Sequence, residues 1–491
     1  MTSDNARWRV PEFVTSFIDG RWTAPTGCRL PVVDPSNGFQ IAMLCEADEH
    51  ETGLAVEAAH RAFVERRWSG KSVLQKQQAL RRLAELVQGH IDELAWLECL
   101  NTGIPLGYLR NIQIPRVVRN LNFYADSLSQ HSAPSVVDPN FLRYVAREPI
   151  GAVALISPWN APLALASTKL AAALAFGNTC LIKTAEQTPL AIARFMELTV
   201  EADFPPGVVN LVNGRGSVTG NHLVKHPLVR AISFTGGTET GRHIAAAAAH
   251  GLTRVDLELG GKSANIISAS ANIEDAVKGA IASIFTNNGQ QCFAGSRILV
   301  EREIAPRFIE AFIERAKQIR VGSPFSPDTE IGPLANLNHL QRVTSFFGSA
   351  RSEGLEILTG GGRPPGLDAG YYVEPTVVLT TSNASRLSRE EVFGPLATVQ
   401  VVESFDQALL VANDSDYGLA AYLWTNDLSQ SLRAAERLQA GMVLVNASMT
   451  VDLRLPFGGY KNSGLGREGY EGFRNLFTQE KTVSIAVPAV S

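Results

Sequence analysis

Cys292 stands in the stretch NNGQQCFAGSR, Asn287 to Arg297, among small and polar neighbours. An unpaired cysteine more often hides among apolar ones. Upstream, Ala276, Val277, Ala280, Ile281, Ile284 and Phe285 recur at helical spacing, so a buried helix face is expected to end near Thr286 and deliver the thiol into a polar loop. A thiol placed in this way can act as a nucleophile. The window alone also fits an unreactive cysteine, which is the commoner case.

Four other stretches could carry chemistry, and each has a plainer reading. In FTGGTETG, which holds Phe234, Gly236, Gly237 and Gly241, a strand ends, glycines turn the chain and a helix begins. Amides at a helix N-terminus attract phosphate, but the spacing is not GxGxxG, and an ordinary turn fits equally. In LIKTAEQTP, Lys183 and Glu186 follow a buried strand, at the ligand-binding edge of a parallel sheet. A carboxylate there can accept both ribose hydroxyls of NAD and repel the extra phosphate of NADP; the alternative is a solvated ion pair. In SPWNAP, Trp159 and Asn160 lie between two prolines. A fixed amide suits an oxyanion donor, and also a polar turn. In LELGGK, Glu258 ends an apolar strand. An apolar setting raises a carboxyl pKa towards that of a general base, although a solvated strand end would not. His222 and His226 have the spacing of metal ligands on one helix face, but no third ligand is evident and Pro227 follows at once. No metal is expected.

Positioning these residues requires alternating strands and helices, which the sequence supplies. Residues 150–156, 179–183, 207–212, 229–234 and 254–259 read as strands. Helices fall near 163–175, 189–202, 217–226 and from Glu239 to His250. Such alternation gives a parallel sheet. The run from Gly151 to Ile182 has one charge, Lys169, but prolines, Asn160, Gly177 and Asn178 break it into pieces too short to span a membrane. A second alternating region follows Gly261, so a domain boundary is placed near Gly260. Residues 52–128 read as mostly helical. Two outlying strands, NFLRYVAREPI and KTVSIAVPA, are expected to pair with each other or with another subunit.

Composition bounds the function. The chain has 491 residues and a net charge of −4, enough for two or three domains and without the basic surface that nucleic acid requires. Five scattered cysteines with no CxxC pair point to neither a zinc site nor a disulfide framework and fit the reducing cytoplasm. The polar N-terminus lacks a signal-peptide core.

Taken together and in order, SPWN, IKTAEQTP, FTGGTETG, LELGGK, NNGQQCFAGSR, EEVFGPL, NDSDYGLAA and PFGGYKNSGLGREG resemble the aldehyde dehydrogenase superfamily from about residue 15 to the C-terminus. The resemblance implies an α/β fold: a Rossmann-type parallel-sheet cofactor domain (1–126 and 149–260), an α/β catalytic domain (261–470) and a β-strand oligomerisation arm (127–148 and 471–491). By position it makes Cys292 the nucleophile, Glu258 the general base, and Asn160 half of the oxyanion site with the Cys292 backbone amide. It makes Lys169 a proton-relay partner. It implies cofactor contacts at Ile156, Ser157, Trp159, Lys183, Glu186, Phe234, Gly236, Gly237, Gly241, Leu259, Gly260, Glu391 and Phe393. Gly237 falls where many members carry serine. NAD is expected in preference to NADP, with a homodimer or homotetramer as the assembly.

Two stretches, NTGIPLGYLRNIQIPRVVRNLNFYAD and NASMTVDLRLPFGG, look most like the hydroxymuconic semialdehyde branch. That branch implies an aldehyde bearing a distant carboxylate, held by Arg116 and Arg454. Arginine suits such a clamp because its planar fork matches a carboxylate. The branch often has RDLR where this chain has VDLR. A broad dehydrogenase of neutral aldehydes is the alternative, and a non-catalytic protein on the same fold a more distant one.

Overall fold

The computed structural model describes residues 8–129, 134–138, 140–448 and 450–487. Ala152–Ile156 and Thr179–Lys183 are buried at every position, as strands covered on both faces must be. They form the centre of an eight-stranded sheet. Its parallel part runs, in space, Val209–Leu211, Thr179–Lys183, Ala152–Ile156, Val229–Thr235, Arg254–Glu258. Antiparallel strands Phe17–Ile18 and Gly464–Leu465 extend the two sides, and Arg21–Trp22 adds beyond the first. The chain reverses its winding direction at Ala152–Ile156, so the crevice beyond this strand and Val229–Thr235 is the topological switch point.

A second, seven-stranded sheet begins at Ala264–Ile267. Every pairing in it is parallel except that of the edge strand Glu356–Thr359. The break between the sheets falls at residues 259–263, around Gly260. The chain later returns: Gly464–Leu465 pairs with Arg254–Glu258 of the first sheet. The helix Tyr470–Phe477 buries Phe473 and Phe477 in the core of the first sheet's helices. The strand Thr478–Ala486 follows it and pairs antiparallel with Phe141–Pro149. Ser135–Asp138 completes that three-stranded sheet.

Helices Glu49–Val64, Val73–Gly89, Ile91–Thr102 and Ile114–Ser127 fill most of the stretch read as helical. Asp48 caps the first, and Ser72 with Gln75 forms a capping box on the second.

Candidate active site

The loop of Cys292 is held by its own polar residues. Helix Ile273–Phe285 is followed by Asn287, Asn288 and Gly289 at φ 57°, 59° and 72°. Asparagine and glycine tolerate this left-handed region best. Asn288 donates to the carbonyls of Gly103 and Pro333, both at 2.9 Å, and accepts from Gly332 N–H at 2.8 Å. Gly289 lies against Gly394, where a Cβ would meet backbone at 2.4 Å. Asn287 donates to the Asn160 carbonyl at 2.9 Å, and Asn160 Nδ2 donates to the Gln290 carbonyl at 2.8 Å. The polar composition is thus the scaffold of the loop. Cys45, Cys99 and Cys180 are buried, whereas Cys292 is half-buried. Its backbone carbonyl presses on Gly261, where a Cβ would lie 2.3 Å away. Burial raises the thiol pKa, and the Glu391, Glu258 and Glu468 carboxylates raise it further. The resting sulfur is therefore a thiol and needs a base to become the nucleophile.

Glu258 is buried, and neither carboxylate oxygen has a hydrogen-bond partner. Gly458 packs so closely that a Cβ there would reach Glu258 Oε1 at 2.6 Å. Burial pushes the Glu258 carboxyl well above its ordinary range; Asp256 and Glu468 push it the same way, against Lys169 and Arg467. The carboxyl is thereby biased towards its protonated, uncharged form. Lys169, buried in helix Pro162–Ala175, donates to Ser233 Oγ at 3.0 Å and pairs with Glu468.

The switch-point crevice encloses about 280 Å³ and is lined by Ile156, Ser157, Trp159, Lys183, Glu186, Phe234, Gly236 and Gly237. Lys183 Nζ lies 3.6 Å from Glu186 Oε2. Gly237 starts helix Thr238–His250 and has open space where a side chain would stand, which suits a phosphate group at a helix N-terminus. Gly241 lets Leu259 pack against the helix, since a Cβ would meet its side chain at 2.4 Å. Glu391 rests on the two glycines of LELGGK: it accepts from Gly261 N–H at 2.8 Å, and a Cβ on Gly260 would lie 2.4 Å from its Oε2. Phe393 adopts φ 61° and stacks edge-on against Trp159 at 5.3 Å.

The two arginines differ. Arg116 follows a π-helical turn, Leu109–Gln113, and its Nε is buried without a partner. Burial lowers its pKa, and it lies within electrostatic reach of Glu468, Tyr108 and Cys292. Arg454 instead points outward, 77% exposed, and forks onto Asp452 at 2.6 Å. His222 and His226 do not share a helix face: the helix Asn221–Lys225 ends before His226, which accepts from Leu228 N–H. Among the described residues no group of three His, Cys, Asp or Glu side chains could hold a metal ion, and no helix is long and apolar enough to cross a membrane.

Several participants carry no local signal in the sequence. His339 bonds the Phe393 carbonyl at 2.7 Å and packs on Trp159 at 4.9 Å. Burial lowers its pKa to about 4, so it serves as a neutral prop. Glu468, Ser233 and Asp256 join Lys169 only through the fold. The PFGGYKNSGLGREG stretch does contain Gly458 and Glu468, but nothing in it points to Lys169.

A doubly wound sheet with a glycine-lined crevice at its switch point, and a cysteine loop where a second sheet meets it, is the layout of an α/β dehydrogenase. Residues 22–483 match the Aldehyde dehydrogenase family, and the chain belongs to that family. It is 39% identical to 5-carboxymethyl-2-hydroxymuconate semialdehyde dehydrogenase of Escherichia coli, over 93% of this chain and 97% of the relative. It is 40% identical to retinal dehydrogenase 2 of Gallus gallus, over 96% of this chain and 92% of the relative. The NAD+ complex of an aldehyde dehydrogenase from Bacillus cereus superposes with a TM-score of 0.94 at 36% identity, covering 97% of each chain. The fold and the enzyme class expected from the sequence are those found.

Proposed function

We propose that the chain oxidises an aldehyde bearing a distant carboxylate, of the hydroxymuconic semialdehyde type met in the breakdown of aromatic rings, to the corresponding acid. The observation that carries the substrate is Arg116, a cation whose Nε is buried and unpartnered within electrostatic reach of the Cys292 sulfur. A buried guanidinium nitrogen without a hydrogen-bond partner is costly, and a substrate carboxylate would satisfy it.

In this reading Cys292 loses its proton to solvent and attacks the aldehyde carbon as a thiolate. The oxyanion is held by Asn160 Nδ2 and the Cys292 backbone amide. The crevice residues would hold NAD, which when bound supplies the acceptor for the hydride that the tetrahedral carbon expels. Lys183 and Glu186 would hold its adenosine ribose, Gly236 and Gly237 its phosphates, and Glu391 and Phe393 its nicotinamide end; Trp159 and His339 keep Phe393 in place. The remaining thioester is hydrolysed by a water that gives its proton to Glu258, with Lys169 and Glu468 as the route onward. The glutamate next to the crevice favours NAD over NADP, because it would repel a 2′-phosphate.

A second reading, a broad dehydrogenase of neutral aldehydes, is favoured by Arg454, whose side chain is given over to Asp452. Comparing kcat/KM for an anionic semialdehyde and for benzaldehyde, with NAD and with NADP, decides between the two. No reduction of cofactor across a broad aldehyde panel would overturn both.

The domain limits inferred above, assembly into a homodimer or homotetramer through the arm, and a cytoplasmic setting belong to the same proposal. Exposed apolar side chains on the arm, Val136, Leu142 and Ile485, support assembly there. The five unpaired cysteines support a reducing compartment.

A further inference from the structure

The strand Arg254–Glu258 carries two carboxylates on one face, Asp256 and Glu258, since alternate strand positions point the same way. Asp256 is 1% exposed and has no part in the reaction as described. It lies in register with Ser233 on the neighbouring strand. Ser233 donates to Asp256 Oδ2 at 3.3 Å and accepts from Lys169 Nζ at 3.0 Å, while Lys169 also pairs with Glu468. A continuous chain of four buried side chains therefore runs from Glu468 through Lys169 and Ser233 to Asp256. Asp256 Oδ1 has no partner and abuts Gly466, where a Cβ would lie 2.6 Å away.

Charged and titratable groups from four segments face Asp256. Glu258 comes from its own strand, Lys169 from helix Pro162–Ala175 and Tyr124 from helix Ile114–Ser127. Glu468 and Arg467 come from the segment after Gly464–Leu465. Arg467 donates to the Gly459 and Gly466 carbonyls. Three buried carboxylates thus share one ammonium, Lys169, with Arg467 engaged elsewhere and Arg116 acting on Glu468. Like charges so placed do not all ionise together.

We propose that Asp256 is a positioning residue that sets the charge of Glu258. Asp256 ionises first, because the Ser233–Lys169 chain gives it a donor that Glu258 lacks, and its charge then holds the proton on Glu258 until higher pH. It thereby fixes the pH at which the acyl-enzyme hydrolyses. This rests on Glu258 being the base of that step. Burial and neighbouring charge push Asp256 up to about 7 and Glu258 well up too, as a mutually repelling pair requires.

The test uses the full chain and the hydrolysis of a preformed acyl-enzyme, loaded with an activated ester and followed through one turnover across the pH range. In Asp256→Asn the acidic limb should move down by about one pH unit, so hydrolysis on the acid side becomes up to about tenfold faster than in the wild type. A structural lesion would slow the step at every pH. A limb that stays in place or moves up overturns the proposal. Asp256→Ser provides a second readout that needs no activity: the infrared band of the protonated Glu258 carboxyl, identified by its loss in Glu258→Gln, should vanish at lower pH than in the wild type. An unmoved band overturns the proposal. If Glu258→Gln itself hydrolyses the acyl-enzyme normally, the base assignment fails instead; if it does not, an unmoved limb condemns Asp256 alone.

Discussion

Asn160 and Gln290 are joined by a 2.8 Å hydrogen bond from the Asn160 amide to the Gln290 carbonyl, two residues before Cys292. The Asn160 amide is thereby fixed to the loop that carries the sulfur, across the gap between the two sheets. One Nδ2 hydrogen is used in this contact, and the amide has a second to offer.

Removing that amide should therefore damage chemistry more than binding. Asn160→Ala is expected to lower kcat by about 10²–10³-fold, the usual effect of losing one oxyanion donor. The affinity for NAD, measured by fluorescence titration, should change little. Equal losses in kcat and in NAD binding would instead assign Asn160 to the scaffold.

Glu258→Gln separates the two half-reactions. Rapid mixing should show a burst of reduced cofactor close to one per active site, followed by turnover slowed about 10²–10⁴-fold. Loss of the burst together with turnover would mean that Glu258 is indispensable for activating the thiol. In the wild type the base must be unprotonated, and its pKa is raised; turnover should therefore climb with pH above the ordinary carboxyl range.

Gly260→Ala places a methyl 2.4 Å from Glu391 Oε2 and must displace that carboxylate. The KM for NAD should rise about tenfold, a loss near the value of one hydrogen bond to a charged group. Benzaldehyde KM at saturating NAD should stay within about twofold. An unchanged KM for NAD would remove Glu391 from the cofactor site.

Arg116→Ala should lower kcat/KM for an anionic semialdehyde by about 10–100-fold, since a charged hydrogen bond contributes about 1.5–3 kcal/mol, and spare benzaldehyde. Arg454→Ala should have the smaller effect, because a substrate would first have to compete with Asp452. If both variants leave the ratio of the two substrates unchanged, the carboxylate clamp is wrong.

Glu98 gives a pH signature unrelated to catalysis. It is buried beneath the N-terminus of helix Pro162–Ala175, accepts from Leu163 N–H at 3.4 Å, and has an unpartnered Oε1. Burial raises its pKa to about 8, against about 4.3 in the unfolded chain. The folded protein therefore binds the extra proton between these values, and stability falls as pH rises through that window. Glu98→Gln cannot ionise, so its Tm should exceed that of the wild type by about 2–4 °C or more at pH 9 and match it more closely at pH 5. A Tm difference that does not depend on pH would refute this account.

What the sequence determined by itself is local and periodic. The near-continuous apolar runs at 152–156 and 179–183 dictated strands buried on both faces, and the alternation with helices dictated a parallel sheet. Family motifs, each a short string, placed Cys292, Glu258, Asn160 and the crevice residues. Tertiary structure decided what depends on distant segments meeting. Lys169 and Glu468 are 299 residues apart and share one buried ion pair. His339 reaches Phe393 and Trp159 only because helix Leu337–Ser352 starts beside Phe393. Arg116 and Arg454 look alike as letters, yet a π-helical turn buries part of one while Asp452 holds the other in solvent. Spacing along a chain cannot reveal such differences, because charge, burial and hydrogen-bond partners are properties of position in space.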